Sequence, residues 1–372
     1  MWVQVPPFAL SRFNMKIALV GNWKSRCGIS TYVENLWPAV VKEGSYNARL
    51  FVTREPEPTS NELTFGDQEL PPENLHRCWN PLGSVSELVT QVRDFNPDLI
   101  WVQHNHSLWT PDQWAYFMLE MRGAPVVATF HSTGMGAEAE NYLRNLIVHG
   151  EESRTRLHRL DYHEAVHVIP HGCQDYFPSE PVENRRVLQF GFGFDHKGWV
   201  TSVEALASIR ELYPDAHLTL LMSETKQYPK EHHLCYNRVL STIRLHGLEK
   251  QVTIQRGFLP ESVIDQHLRQ SQVVLLPYVE DQGYCKKFVG ASGAARFAMS
   301  RGIPVITSRV HHFQDLPTVK ASGVDQTAAT LHRFFMGRME AKKQVNLQAT
   351  YVQENSFSRV AKKHVDLFNM LV

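Results

Sequence analysis

The stretch SQVVLLPYVEDQGYCKKFVGASGAARFAMSRGIPVITS, residues 271–308, decides the fold class. It reads as strand, loop, helix and strand. Val273–Leu276 is apolar at every position, as suits a parallel strand buried on both faces, and Ile303–Ile306 repeats the pattern after a helix. Such a unit builds a doubly wound parallel sheet. Between the strands, Gly290, Ser292 and Gly293 let backbone N–H groups approach an anion at the helix start, where amides and dipole favour negative charge. The same small residues would equally let the helix pack close to the sheet, and by themselves they do not separate the two readings.

Working outward, the same alternation covers the chain. Strands are predicted at Lys16–Gly21, Arg49–Val52, Leu99–Val102, Val126–Thr129 and Val166–Ile169, with helical patterns at Thr31–Val40, Ser84–Phe95 and Ala137–His149. A second series begins at Val187–Phe190 and continues through a helix over Gly198–Tyr213 and strands at Leu218–Met222 and Val252–Gln255. The fold class is therefore α/β with two doubly wound domains. Residues 1–14 form an N-terminal extension, 15–178 the first domain and 185–355 the second, joined through the proline-bearing YFPSEPVEN at 176–184. Residues 356–372 carry apolar groups at Val360, Val365, Leu367, Phe368 and Leu371, the pattern of a terminal amphipathic helix.

Composition narrows the function classes. Lys plus Arg equals Asp plus Glu at 38 each in 372 residues, so no global field draws the protein to nucleic acid or anionic membrane. The Lys286–Lys287 pair and Arg296 hint at a local anion-binding surface, against a solvated face as the simpler reading. Five widely spaced cysteines without a Cys-x-x-Cys pair point to reduced thiols in a cytoplasm and to no metal site. No apolar run approaches the ~18–20 residues of a membrane span. A Gly-x-Ser-x-Gly elbow and a phosphate-binding Gly-x-x-x-x-Gly-Lys-Ser/Thr loop are both missing, which disfavours hydrolase and P-loop chemistry.

Ligands of parallel α/β sheets sit beyond the carboxyl ends of the strands, so the loops there hold the candidates. GNWKSRCGISTY at 21–32 places Gly28 at a helix start, for close approach of a diphosphate or merely for a tight turn. TFHSTGMG at 129–136 places His131 directly after a strand, as a catalytic or a structural histidine. IPHGCQ at 169–174 reads as an interdomain turn rather than a metal site. FGFGFDHKG at 190–198 places Lys197 before a helix, where a point charge can meet a phosphate. His104, His106 and Trp109, in VQHNHSLW at 102–109, could stack on or bond a sugar, and equally could form a core edge.

Taken in order, CGISTY, VQHNHSLW, TFHSTG, VIPHGCQDYF, FGFGFDHKG and ASGAARFAMSRGIPVITS resemble the retaining family-4 glycosyltransferases from Met15 onward. VIPHGCQDYF is similar to that family's IPNGVD turn, and FGFGFDHKG to its GR…KG loop. The resemblance implies a GT-B fold, two Rossmann-like domains facing a cleft, with SFSRVAKKHVDLF at 356–368 crossing back to the first domain. It implies metal-independent transfer of a hexose, with retention, from a UDP- or GDP-sugar to a hydroxyl acceptor, and no other cofactor. Lys197, Ser292 and Gly293 would hold the donor diphosphate, Gly28 and Ile29 would approach it, and His131 would contact the transferred sugar. Phe192 replaces the usual loop arginine, and Phe297 stands where the second glutamate of the Glu-x7-Glu pattern aligns; Glu280 or Asp281 would take over a donor contact. His104, His106 and Trp109 fall on the acceptor side. The acceptor is a saccharide, glycan, small metabolite or modified nucleic acid. Rival readings are another GT-B enzyme, a sugar-nucleotide epimerase or phosphorylase, and a catalytically idle nucleotide-sugar-binding module.

Overall fold

A computed structural model describes residues 15–54, 74–105, 108–134, 142–225, 228–280 and 289–372. The candidates His106 and Asp281, the Lys286–Lys287 pair and the extension 1–14 lie outside these residues. The chain divides into two compact units, Met1–Gly172 with Phe357–Val372, and Cys173–Ser356.

The first unit is built on strands β1 (Lys16–Gly21), β2 (Asn47–Thr53), β3 (Leu75–Trp79), β4 (Leu99–His104), β5 (Val126–Phe130), β7 (Asn145–Val148) and β8 (Ala165–Val168), with β6 a two-residue segment at Ser132–Thr133. They form one sheet in the order β3-β2-β1-β4-β5-β7-β8, every pair parallel. Helices α1 (Gly28–Gly44), α2 (Ser86–Phe95), α3 (Pro111–Glu120) and α4 (Glu151–Arg159) connect the strands. Parallel neighbours require such crossovers, and helices on the sheet faces explain why β1, β4 and β5 are buried at almost every position.

The second unit repeats the design with β9 (Arg186–Phe192), β10 (His217–Ser223), β11 (Val252–Arg256), β12 (Val273–Leu276), β14 (Val305–Thr307) and β15 (Val319–Lys320); β13 is a two-residue segment at Val289–Gly290. Its order is β11-β10-β9-β12-β14-β15, again all parallel. Helices α5 (Trp199–Ile209), α6 (Pro229–Leu245), α7 (Glu261–Arg269), α8 (Gly293–Ser300), α9 (Gly323–Met336) and α10 (Arg338–Glu354) complete it. In each unit the first strand is flanked by the second and the fourth, so the winding reverses beside β1 and beside β9. That reversal opens a crevice at the strand ends.

The last helix, α11 (Phe357–Leu371), is part of the first unit. Val360, Ala361, Leu367 and Phe368 join that unit's core, and the Phe368 and His364 rings lie 5.1 and 5.0 Å from Trp101 on β4. The chain enters the helix at a tight place, since a Cβ on Gly172 would lie 2.3 Å from the Phe357 ring.

Several sequence expectations need correction. Asn145–Val148, read as the end of a helix over Ala137–His149, is a strand between β5 and β8; residues 137–141 of that span are outside the described set. Its apolar run is buried, and a short apolar run has no periodicity to separate strand from helix. The strands β3 and β15 have no counterpart among the expected elements, and the Ile303–Ile306 strand falls instead at Val305–Thr307. The stretch 176–184 is irregular but anchored, with the Phe177 and Ser179 amides donating to the Ser300 and Arg301 carbonyls.

Candidate active site

In the second unit the reversal lies between β9 and β12, and their two following loops are locked together. The β9 loop turns through a short 3-10 segment, Asp195–Lys197, into Gly198, whose φ of +72° is left-handed. A Cβ there would sit 1.9 Å from the Pro277 carbonyl oxygen just beyond β12, so only glycine permits the two backbones to meet. The Val279 amide then donates to the His196 carbonyl at 2.9 Å. From beneath, buried Gln189 donates to the Lys197 carbonyl at 2.8 Å and accepts from Ser202 Oγ at 2.5 Å. The backbone of Lys197 is thus fixed from both sides.

The Lys197 ammonium lies over the Tyr278 ring, 3.9 Å from its centroid. Among the described residues no carboxylate is within ion-pair reach of it. Its neighbours His196 and His312 are both buried and held neutral: His196 is pushed down to about 3 by burial and then by the Lys197 charge, and His312 falls well below the usual histidine range by burial, His311 and Lys197. Glu280 is exposed and 3.6 Å from His311 Nδ1. A lysine without a carboxylate partner among the described residues, beside two neutral histidines, suits an anion.

Helix α8 begins at the same carboxyl edge, after β12. Ser292 caps it, its Oγ accepting from the Ala295 amide at 3.3 Å, and Gly293 is exposed as the first helical residue. The cap is braced from within: Arg296 donates to the Ser292 carbonyl at 3.1 Å and to Tyr351 Oη at 3.1 Å, and pairs with Asp315. Arg296 is 1% exposed, so it supports the turn and offers no surface charge of the kind its sequence context suggested. Phe192 and Phe297, which replace the expected arginine and glutamate, pack on Phe194 and Phe190 respectively.

In the first unit, β1 runs into Asn22–Cys27 and then α1. Cys27 caps the helix through its sulfur, Ser30 Oγ donates to Glu34 at 2.5 Å, and the Lys24 amide donates to the same carboxylate at 2.9 Å. Gly28 is exposed, and a Cβ added there would meet nothing within 4 Å, whereas the Ile29 side chain is buried in the core and has only its backbone to offer a ligand.

His131 stands at the end of β5 with both ring nitrogens engaged. Nε2 is 2.8 Å from Gln103 Oε1, and Nδ1 is 3.2 Å from His149 Nε2, whose own Nδ1 is 3.2 Å from the Ile169 carbonyl. Gln103 Oε1 can only accept, so Nε2 carries the proton that meets it, and a neutral His131 ring then turns a bare Nδ1 toward His149. Burial and the two neighbouring histidines, 149 and 104, hold His131 well below the ordinary histidine range, which favours this neutral arrangement. His104 is buried against Trp114 and Phe130, and Trp109 against Trp79, Trp114 and Phe117. The core alternative left open for these two residues is the observed placement, and neither presents a face to a sugar.

The sequence singles out Lys197 and the Ser292–Gly293 turn as candidates but not Tyr278, Gln189 and His149, which pack against the candidate residues. A tyrosine after a strand and a glutamine inside one carry no local signal, because only the folded loops bring Tyr278 to Lys197 and turn the Lys197 carbonyl back onto Gln189. No cluster of three metal-ligating side chains occurs among the described residues, and no described helix is long and apolar enough to cross a membrane.

Two Rossmann-like parallel-sheet domains in one chain make this a GT-B fold, as comparison with solved structures bears out. Sucrose-phosphate synthase from Thermosynechococcus elongatus aligns with a TM-score of 0.73 at 18% identity, over 96% of this chain and 99% of that one. Anabaena HepE, solved in complex with UDP, aligns with a TM-score of 0.72 at 14% identity, over 96% and 100%. The N-terminal domain of Candida albicans trehalose-6-phosphate phosphatase gives 0.72 at 11% identity, over 96% and 97%. In sequence, the profile of glycosyltransferase family 4 matches residues 27–175. No curated protein matches.

Proposed function

We propose that the protein is a glycosyltransferase that takes a hexose from a UDP- or GDP-sugar and passes it, with retention of configuration, to a hydroxyl acceptor. The observation that carries this reading is Lys197, a cation without a carboxylate partner among the described residues, fixed at the strand-end reversal of the second unit, on the carboxyl edge of the sheet at which α8 also begins. A departing nucleoside diphosphate gains negative charge as the sugar bond breaks. Fixed positive groups stabilise that charge without reorganisation, and the N–H groups of Gly293 and Ala294 add to the lysine at the helix start. The neutral state of His196 and His312 leaves this field to Lys197.

The fold relationship to HepE, whose structure contains UDP, and to trehalose-6-phosphate synthase, studied for glycosyl transfer with retention, supports the donor class and the stereochemistry. The family-4 match over 27–175 supports the acceptor-side assignment of the first unit. The departing phosphate can itself accept the acceptor's proton, so no side-chain base is required. His131, with both ring nitrogens bonded inside its own unit, serves by its position at the edge of β5 rather than as an acid or base.

The replacement of the expected arginine and glutamate by Phe192 and Phe297 favours one second reading, a module that binds a nucleotide sugar and does not turn it over. A panel of UDP- and GDP-sugars screened by thermal shift, followed by donor hydrolysis with the stabilising sugar, separates the two. Stabilisation with slow release of free sugar supports the transferase; stabilisation without release supports the module; no stabilisation by any member removes both.

A further inference from the structure

We propose that Tyr278 is a positioning residue for Lys197, its ring face holding the ammonium in place for the diphosphate of the donor; this rests on the donor-binding reading above. Lysine carries a flexible four-carbon stem, and a lysine meant to meet an anion needs something to hold it. A carboxylate partner would hold it but would also cancel its charge. An aromatic face attracts the ammonium without supplying a counter-ion.

The geometry fits that role. Lys197 Nζ is 3.9 Å from the ring centroid. Tyr278 is 4% exposed and cannot swing away, since Phe313 lies 4.6 Å from it and its amide donates to the Leu276 carbonyl at 3.0 Å. Its two backbone neighbours are the residues that clamp the β9 loop: Pro277 meets Gly198, and the Val279 amide bonds to His196. The same few atoms therefore fix lysine and ring relative to each other. Lys197 is the only lysine or arginine in the loop 190–198, so its placement matters more.

The test compares Tyr278→Phe and Tyr278→Leu with Lys197→Ala in the full chain, after thermal melts show each variant folded. Two measurements are made. In ring-current NMR, the ε-methylene protons of Lys197 should be shifted upfield in the unmodified protein and in Y278F, and return to ordinary values in Y278L. In calorimetry, UDP should bind Y278F like the unmodified protein and bind Y278L about three- to thirtyfold more weakly. Adding Y278L to K197A should cost nothing further, an outcome that a purely structural role would not give. An unshifted Lys197 in the unmodified protein, or equal loss from Y278L with and without Lys197, overturns the proposal while leaving the donor reading intact. If UDP and GDP bind the unmodified protein not at all, the donor reading fails and the positioning role falls with it.

Discussion

Gly198→Ala is the sharpest perturbation of the candidate site, because its cost can be worked from the structure. The residue has φ +72°, and an L side chain in left-handed backbone costs about 1–2 kcal/mol. The added Cβ would stand 1.9 Å from the Pro277 oxygen, where real contacts do not fall below 3.0 Å, so the two loops must separate by 3.0 − 1.9 = 1.1 Å. Both groups are backbone, and neither can rotate aside. A shift of that size breaks the 2.9 Å bond from the Val279 amide to the His196 carbonyl, for about 1 kcal/mol more. The total is about 2–3 kcal/mol, with Lys197 displaced from Tyr278 as a consequence. Urea denaturation followed by circular dichroism reads the stability, and calorimetry with UDP reads the site. Gly28→Ala is the matched control: it lies at a helix start with open space around it, and stability should change by less than about 0.5 kcal/mol. If Gly198→Ala stays within about 1 kcal/mol of the unmodified protein and binds UDP equally well, the account of how the two loops are locked is wrong.

Other predictions follow from groups whose surroundings are equally well defined. His364 is fully buried and pushed down to about 4 by burial, against an unfolded value of 6.5. A folded value below the unfolded one means stability is present above pH 6.5 and is lost as pH falls from 6.5 toward 4; that gap corresponds to about 3 kcal/mol, which His364→Gln should remove from a pH series of urea melts. Arg296→Met leaves the Ser292 carbonyl without its brace and the partly exposed Asp315 with only the Tyr351 hydroxyl, and should cost about 1–3 kcal/mol with loss of UDP binding. His149→Phe leaves the Gln103 carbonyl as the acceptor of His131, and nitrogen-15 NMR should find the His131 proton on Nε2 in both proteins, whereas an Nδ1–H form in the unmodified protein would refute that direction.

The architecture is readable in the sequence wherever buried parallel strands announce themselves as unbroken apolar runs. Lys16–Gly21, Leu99–Val102 and Val273–Leu276 are of that kind, and the small-residue turn into α8 is as plain. Asn145–Val148 is an equally apolar run, yet it reads as a helix end because four residues carry no period. The candidate site is half legible. Lys197 and Gly198 stand together in the chain, and so do Ser292 and Gly293, but most of what fixes them comes from far away: Pro277 and Tyr278 from beyond β12, Asp315 and Tyr351 from later still. Trp109 and His104 show the converse. Residue type suggests a sugar platform, and only packing reveals that four aromatic neighbours, Trp79, Trp114, Phe117 and Phe130, enclose them.

The central claim, that the second unit grips a nucleoside diphosphate through Lys197, is tested most directly by titrating UDP and GDP into the unmodified protein and into Lys197→Ala, in the presence of EDTA. The account predicts that at least one nucleotide binds without divalent metal and that the substitution weakens it at least tenfold in a folded protein. Binding that survives the loss of Lys197 unchanged, or that appears only when a divalent ion is supplied, would contradict it.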